Sequence, residues 1–376
     1  MSLAAFETPC LLLDPTRLAR NLERMSGRAR TLGVKLRPHL KTAKSHEVAR
    51  RATAGEFGGI TVSTLHEAEY FLAGGITDLL YAVGIVAGKL PRAARLVEAG
   101  ARLTLVLDSV EAAREVAAFS AAHSVGFAVL IEIDCGEGRS GVLPDAPELV
   151  EIGRILDRPP YCRLDGVMTH AGHSYTARDL ATVVRIAEAE RAAALGAAER
   201  LRAVGLPAPV VSIGSTPTAL HAAHLDGVTE LRAGVYMFGD LFQAQIGSCV
   251  IEDLAVSVLA TVTGHRRDAG QLMIDAGGLA LSKDRSTADA PHDCGFGLLL
   301  RENGTPFARE LKVVRVYQEH GLVRATEGDL PFDELPVGAR VRVLPNHVCM
   351  TAAMYDRYHL VEDGRVVGEW TRTNGW

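Results

Sequence analysis

A lysine beside a histidine, a turn of small hydroxyl residues, and a histidine two positions from a cysteine are the groups here whose types and spacing suit chemistry. Lys41 closes the run Leu36–Lys41 on the face that also carries His39. An amine directed into a barrel mouth is partly desolvated, which depresses its pKa and suits a Schiff base. A lysine snorkelling at a rim is the plainer alternative, and Lys35 and Lys44 nearby mean that basicity alone does not select Lys41. The turn Ile213-Gly214-Ser215-Thr216-Pro217 can offer backbone N–H groups and hydroxyls to an anion, with Gly234 as a further N–H donor. A Schiff-base lysine opposite a phosphate cradle is what pyridoxal phosphate (PLP) requires. In Pro345-Asn346-His347-Val348-Cys349, a strand would put His347 and Cys349 on one face. Imidazole and thiolate are a borderline-soft pair that suits Zn2+. Two ligands are too few for a closed structural site and enough for an open one completed by water or substrate. A core cysteine beside a surface histidine is the alternative.

These groups need a scaffold, and the chain has a regular rhythm that supplies one. Apolar runs rich in β-branched residues alternate with Ala-, Glu- and Arg-rich stretches of helical character such as Thr64–Ala73, Lys89–Ala99 and Ala177–Val204. The runs are Leu36–Lys41, Gly59–Thr64, Asp78–Val83, Leu103–Asp108, Phe127–Asp134, Leu164–Ala171, Val210–Ser215 and Thr229–Tyr236. This repeat predicts an α/β fold, a (β/α)8 TIM barrel. A doubly wound open sheet would need a Gly-rich turn after the first strand, where Lys41-Thr42-Ala43-Lys44 stands instead. Barrel active sites lie at the C-terminal strand ends, which here carry His39 and Lys41, Ser63 and Thr64, Asp108, Asp134, His170 and His173, the Gly214–Thr216 turn, and Arg232 to Tyr236. The loops after the last two strands are the common phosphate site of such barrels.

From about Cys249 the helical pattern stops. Short strand-like runs take over, for example Ala255–Thr263, Gln271–Asp275, Glu310–Tyr317, Arg340–Leu344 and Tyr358–Val361, separated by turn signals such as Asn303-Gly304 and Asp363-Gly364. The expectation is a barrel over residues 15–248 and an all-β domain over 249–376, joined by residues 1–14 if Thr8–Asp14 is a returning strand. Asp14 followed by Pro15 is a preferred helix start.

Composition narrows the function classes. A net charge of −5 and a pI near 6.2 lack the footprint of a nucleic-acid binder. No apolar run reaches the length of a membrane helix, and Met1–Asp14 lacks the basic start of a secretory signal. Six cysteines without a CxxC pair suit reduced thiols. The expectation is a cytoplasmic enzyme acting on a small molecule, with no nucleic-acid or membrane partner.

The stretch Arg37-Pro-His-Leu-Lys-Thr-Ala-Lys44 resembles the lysine segment of the PLP-dependent fold-type III family of D-serine dehydratases, D-threonine aldolases and D-threo-3-hydroxyaspartate dehydratases. Similar segments follow in order: Gly59-Ile-Thr-Val-Ser-Thr-Leu-His-Glu-Ala-Glu69, Glu132-Ile-Asp-Cys-Gly-Glu-Gly-Arg-Ser-Gly141, Thr169-His-Ala-Gly-His-Ser-Tyr175, Ser212-Ile-Gly-Ser-Thr-Pro217, Gln318-Glu-His-Gly321, Pro345-Asn-His-Val-Cys349 and Asn374-Gly-Trp376. The resemblance implies an alanine-racemase-like barrel with a C-terminal β domain, and a homodimer. It implies PLP on Lys41, the phosphate near Gly214, Ser215, Thr216, Gly234 and Val235, Tyr175 at the cofactor, and a metal on His347 and Cys349. His39 and Tyr236 belong to the same cofactor-binding set. Arg232-Ala-Gly-Val-Tyr-Met-Phe-Gly239 resembles the racemase segment whose arginine faces the pyridine nitrogen; a rim arginine paired with Glu230 or Asp240 is the alternative. Ala43 stands where several relatives have His.

The activity implied is PLP- and zinc-dependent dehydration of a D-β-hydroxy amino acid such as D-serine, D-threonine or D-threo-3-hydroxyaspartate, giving a 2-oxo acid and ammonia. The rival on the same scaffold is a D-threonine aldolase with Mn2+ or Mg2+, giving glycine and an aldehyde, with His170 or His173 as base. A racemase would need a second base, for which Tyr317, Tyr355 and Tyr358 are available. A non-catalytic PLP-binding protein would resemble a lone barrel.

Overall fold

The computed structural model describes residues 1–376. It comprises two compact units, one of Met1–Glu23 with Val235–Asn374, the other of Arg24–Gly234 with Gly375–Trp376. The first strand, β1 (Cys10–Leu13), belongs to the former. The next eight belong to the latter: β2 (Lys35–Pro38), β3 (Ile60–Val62), β4 (Asp78–Gly84), β5 (Arg102–Leu107), β6 (Phe127–Ile133), β7 (Cys162–Thr169), β8 (Val210–Ile213) and β9 (Glu230–Ala233).

These eight pair in parallel in the order β2-β9-β8-β7-β6-β5-β4-β3, and a bridge between His39 and Thr61 joins the two ends. The result is the expected (β/α)8 barrel. The strands read as near-continuous Val, Leu and Ile because side chains on both faces are buried, as in β6. Helices follow on cue because the residue just past a strand is an N-cap: Thr64 Oγ1 accepts from Glu67 N–H, Ser109 Oγ from Ala112 N–H and Ser215 Oγ from Thr218 N–H. The strand expected to reach Lys41 stops at Pro38. Lys44 N–H donates to the Leu40 carbonyl at 2.7 Å, so the chain turns and Lys41 sits on a turn beyond the strand.

The other unit is built on antiparallel pairing. After β10 (Val256–Arg266) and β11 (Gln271–Ile274) come β12 (Gly297–Arg301), β13 (Leu311–Val316), β14 (Gly321–Ala325), β15 (Arg340–Pro345), β16 (Arg357–Glu362) and β17 (Arg365–Thr371). The order is β11-β14-β13-β12-β15-β10-β1-β16-β17, and β11 also pairs with β10, which closes part of the sheet on itself. β1 lies between β10 and β16, with Leu13 opposite Val256 and Leu12 opposite His359. All four of its residues are buried. Strands β12, β14 and β17 lie outside the runs singled out in the sequence. Helical structure does not vanish here, since short helices form at Gly278–Leu281 and Val348–Ala352. No helix is long and apolar enough to cross a membrane.

Candidate active site

The C-terminal strand ends of the barrel gather His39 and Lys41 after β2, His170 to Tyr175 after β7, Gly214 to Thr216 after β8, and Arg232 and Gly234 at the end of β9. Lys41 is exposed, so the desolvation expected of it is not seen in the chain by itself. The structure does separate it from its neighbours. Lys44 Nζ pairs with the buried Glu67 carboxylate at 3.2 Å, and Lys35 lies at the opposite end of β2.

His39 is half-buried. Lys41 N–H approaches its Nδ1 at 3.5 Å and Ser63 Oγ lies 3.4 Å from its Nε2. Burial, then the positive charges of Lys41 and Arg232, hold its pKa well below the usual imidazole value. His170 behaves alike: burial, reinforced by Lys41, Arg139 and Arg232, pushes it down to about 3. Its Nδ1 lies 2.8 Å from the Gly214 carbonyl. A carbonyl only accepts, so Nδ1 carries the hydrogen and Nε2 keeps a lone pair. Two neutral imidazoles thus stand among the cations Lys41, Arg139 and Arg232. That donor set fits a phosphate-bearing, carboxylate-bearing ligand.

The small-residue turn differs from the sequence expectation. Gly214 N–H is spent on Glu190 Oε1 at 3.0 Å, and Ser215 N–H on Thr218 Oγ1 at 3.0 Å. Ser215 Oγ is engaged with Ser174 Oγ at 2.8 Å as well as with Thr218. These two amides therefore shape the turn rather than point at an anion. Thr216 presents its N–H toward Tyr175 Oη at 3.4 Å, and Tyr175 lies beside the His170 ring. Gly214 has φ +136°, and a Cβ there would sit 2.1 Å from the Arg232 carbonyl oxygen. A Cβ on Gly234 would lie 2.7 Å from the His39 carbonyl oxygen, so both glycines permit close backbone approach.

Arg232 is buried inside the barrel and is not a rim residue. It donates to Ser212 Oγ at 2.5 Å and to the Thr169 carbonyl at 2.7 Å. The partners weighed for it are otherwise engaged. Glu230 accepts from Ser212 Oγ at 2.5 Å and pairs with Arg37 at 2.9 Å, while Asp240 lies in the other unit. Arg37 in turn reaches Asp78 at 2.6 Å, so a line of alternating charge runs through the barrel. Arg139 is exposed and lies 3.5 Å from Glu137.

Val235 and Tyr236 fall in the one-turn helix Val235–Met237 that opens the second stretch of the β unit, and both are buried. His347 and Cys349 are also in this unit, but not on a strand. β15 ends at Pro345, and His347 is the N-cap of the helix Val348–Ala352. Asp240 causes the turn: its Oδ2 accepts from Val348 N–H at 2.9 Å while Oδ1 accepts from Gln243 N–H at 2.7 Å. Asn346 ties down the preceding residue through Thr287 Oγ1 and the Gly295 carbonyl, both at 2.7 Å. The ring and the thiol nevertheless come within hydrogen-bond reach. His347 Nδ1 lies 2.6 Å from Asp284 Oδ2. Burial lowers the His347 pKa, but Asp284, Cys349 and Asp240 outweigh it and push it up to about 11. An imidazole and a thiol this close, with a carboxylate behind the ring, are a donor set that fits a divalent ion. No cluster of three or more His, Cys, Asp or Glu is arranged to hold a metal, so the pair would leave positions for water or substrate. Of the candidate second bases, Tyr358 Oη accepts from Arg372 Nε at 3.0 Å and Tyr355 Oη donates to the Ala280 carbonyl at 3.0 Å, whereas Tyr317 is exposed.

Sequence reasoning missed Glu190 and Asp284, and named Asp240 and Asn346 without the roles they have here. Glu190 left a trace. Within the helix Leu180–Ala203 the buried positions are Val183, Ala187, Glu190, Ala194, Ala197, Ala198 and Leu201, a charge on an apolar stripe. Asp284 left none.

The alanine racemase N-terminal domain family matches residues 13–241, and the serine dehydratase domain family matches residues 255–361. D-threo-3-hydroxyaspartate dehydratase of Delftia sp. is 46% identical over 100% of this chain and 99% of its own. Its solved structure has a TM-score of 0.96 to this one, with 100% of both chains covered. That enzyme has also been solved with a histidine replaced by alanine, and with a cysteine two positions further on replaced by alanine in a metal-free form. D-serine dehydratase of Dictyostelium discoideum is 30% identical over 98% of this chain and 97% of its own. The structure of D-threonine aldolase from Filomicrobium marinum is 28% identical with a TM-score of 0.82, covering 99% of this chain and 96% of that one. This chain therefore belongs to the alanine-racemase-like family of PLP-dependent lyases, whose members include D-threo-3-hydroxyaspartate dehydratase, D-serine dehydratase and D-threonine aldolase.

Proposed function

We propose that this protein is a PLP- and zinc-dependent dehydratase of D-β-hydroxy amino acids, D-threo-3-hydroxyaspartate, D-serine or D-threonine, releasing a 2-oxo acid and ammonia. The observation that carries the reading is the convergence of His347 and Cys349, an imidazole and a thiol two residues apart. The full-length relative altered at a histidine and a cysteine of that same spacing is a dehydratase. In this reading residues 15–248 carry the cofactor, and residues 1–14 with 249–376 carry the metal. The protein acts as a homodimer in the cytoplasm, a setting consistent with its six free cysteines.

PLP supplies an electron sink for a carbanion at Cα, and a divalent ion supplies a Lewis acid for the β-hydroxyl leaving group. Lys41 Nζ would anchor the cofactor and would be the base that accepts the α-proton. Thr216, with Tyr175 and the backbone at Gly214, Ser215, Gly234 and Val235, would hold the phosphate, the Gly214 and Ser215 amides by shaping the turn. Tyr236 and His39 would hold the cofactor ring. Arg232, a permanent donor, would be the residue to meet the ring nitrogen, and its proton would keep that nitrogen unprotonated. Elimination tolerates a weaker sink because the departing hydroxyl carries charge away. His170 Nε2 serves as an acceptor. Burial pushes that ring down to about 3, so it stands neutral near neutral pH. Cys349 favours dehydration over aldol cleavage, since thiolate prefers Zn2+ to Mn2+ or Mg2+.

The test is a panel of D-serine, D-threonine and the D-isomers of 3-hydroxyaspartate with product identification. A 2-oxo acid and ammonia are expected. Glycine with an aldehyde would establish the aldolase, and inverted amino acid alone the racemase. Activity that survives a chelator and Cys349→Ala would remove the metal from the mechanism.

A further inference from the structure

The His347 ring is held by a residue far from it in sequence, and that contact decides which nitrogen a metal can meet. Asp284 Oδ2 lies 2.6 Å from Nδ1. An ionised carboxylate only accepts, so Nδ1 carries the hydrogen and Nε2 is left as the coordinating lone pair. Asp284 is itself fixed: Oδ1 accepts from Ser286 Oγ at 2.7 Å, and its N–H donates to Ser282 Oγ at 3.0 Å. Ser282 has φ +73°, uncommon for a residue other than glycine. The same loop is tied to the ligand helix, since Thr351 Oγ1 donates to the Leu281 carbonyl at 2.8 Å and Thr351 N–H to the His347 carbonyl at 3.1 Å. With the backbone at Val348 held by Asp240, the freedom left to His347 is rotation of its ring, and the Asp284 contact removes it.

We propose that Asp284 is the positioning residue of the metal site: its carboxylate selects the Nδ1–H tautomer of His347 and aims Nε2 at an ion shared with Cys349. This rests on the metal reading above and deepens it. An outer carboxylate on a ligating histidine commonly changes metal affinity by about 10- to 100-fold. Asn at this position keeps an acceptor oxygen but loses the charge, and its amide can rotate to offer N–H and select the wrong tautomer. Alanine removes both charge and acceptor. Ser286→Ala keeps the carboxylate and removes only its hydroxyl support.

The experiment is a Zn2+ titration of the full-length protein, stripped with a chelator and competed against a chromophoric chelator, for wild type, Asp284→Ala, Asp284→Asn, Ser286→Ala and His347→Ala. Co2+ substitution follows, reading the thiolate-to-cobalt charge-transfer band. The expected result is Zn2+ binding that weakens by about 10- to 100-fold in Asp284→Ala, less in Asp284→Asn, a few-fold in Ser286→Ala and most in His347→Ala. The cobalt band should persist through Cys349 but shift as the imidazole is misaligned. Wild-type affinity in Asp284→Ala overturns the positioning role while leaving the metal site intact. If Asp284→Ala does not fold, unchanged affinity and cobalt spectrum in both Asp284→Asn and Ser286→Ala overturn it equally. A wild-type protein that binds no Zn2+ and no Co2+ overturns the underlying metal reading instead.

Discussion

Replacing Glu190 by alanine and by glutamine separates the two things its carboxylate does. Oε1 accepts from Ala171 N–H at 2.9 Å and from Gly214 N–H at 3.0 Å, which pins the turn after β7 to the turn after β8. Alanine strands two buried N–H groups, at about 1–3 kcal/mol each, and leaves a cavity. The expected loss is about 3–6 kcal/mol, a large part of the ~5–15 kcal/mol that holds a typical domain together. The same change lets the Gly214–Thr216 turn relax, so PLP affinity should fall at least about tenfold. Glutamine keeps one oxygen able to serve both amides and removes only the charge. Burial raises the Glu190 pKa above its ordinary value of 4.5, against the opposing Thr218 hydroxyl, the two amides and Arg232. A carboxyl with a raised folded pKa keeps its proton longer when folded. Its contribution is therefore fully present below the unfolded value and lost as pH rises through the folded one. Glutamine does not titrate, so the stability difference between Glu190→Gln and wild type should move in favour of the mutant from about pH 4.5 to pH 8. The assay is urea unfolding across that range, with a PLP titration at one pH. Equal losses for the two variants, or a difference flat with pH, would refute this account of Glu190.

Other positions give independent checks. Lys41→Ala should lose the PLP adduct that borohydride fixes, read by mass spectrometry, while Lys44→Ala should keep it because Lys44 is paired with Glu67; label on any lysine other than Lys41 would contradict the assignment. Gly214→Ala puts a Cβ 2.1 Å from the Arg232 carbonyl oxygen at φ +136°, and about 2–4 kcal/mol of destabilisation with weaker PLP binding is expected in urea and PLP titrations. A variant as stable as wild type would show that the turn yields freely. Leu12→Ala empties a fully buried site on β1, between β10 and β16, and should cost about 2–5 kcal/mol by chemical unfolding. A loss under about 1 kcal/mol would mean that β1 is dispensable to the sheet.

By itself the sequence determined the features that local chemistry controls. Strand and helix periods, with Thr64, Ser109 and Ser215 as caps, laid down the barrel repeat, because period and capping act within a few residues. Lys41, the Gly214–Thr216 turn and the His347–Cys349 pair stood out as candidates for the same reason: each is a short motif. Strand ends and some strands stood out less. β2 stops at Pro38 because the following turn closes on Leu40, and β12, β14 and β17 each carry a glycine and an arginine that break up the apolar run. Only the tertiary structure decided what those motifs do with their hydrogen bonds. Gly214 and Ser215 turn their amides inward because Glu190 and Thr218 lie behind them. His347 leaves the strand because Asp240 caps the next residue, and its tautomer is set by Asp284, 63 residues away. Such contacts join positions whose separation along the chain carries no pattern. They exist only once folding has brought a carboxylate to a buried amide or an imidazole that must otherwise go unpaired.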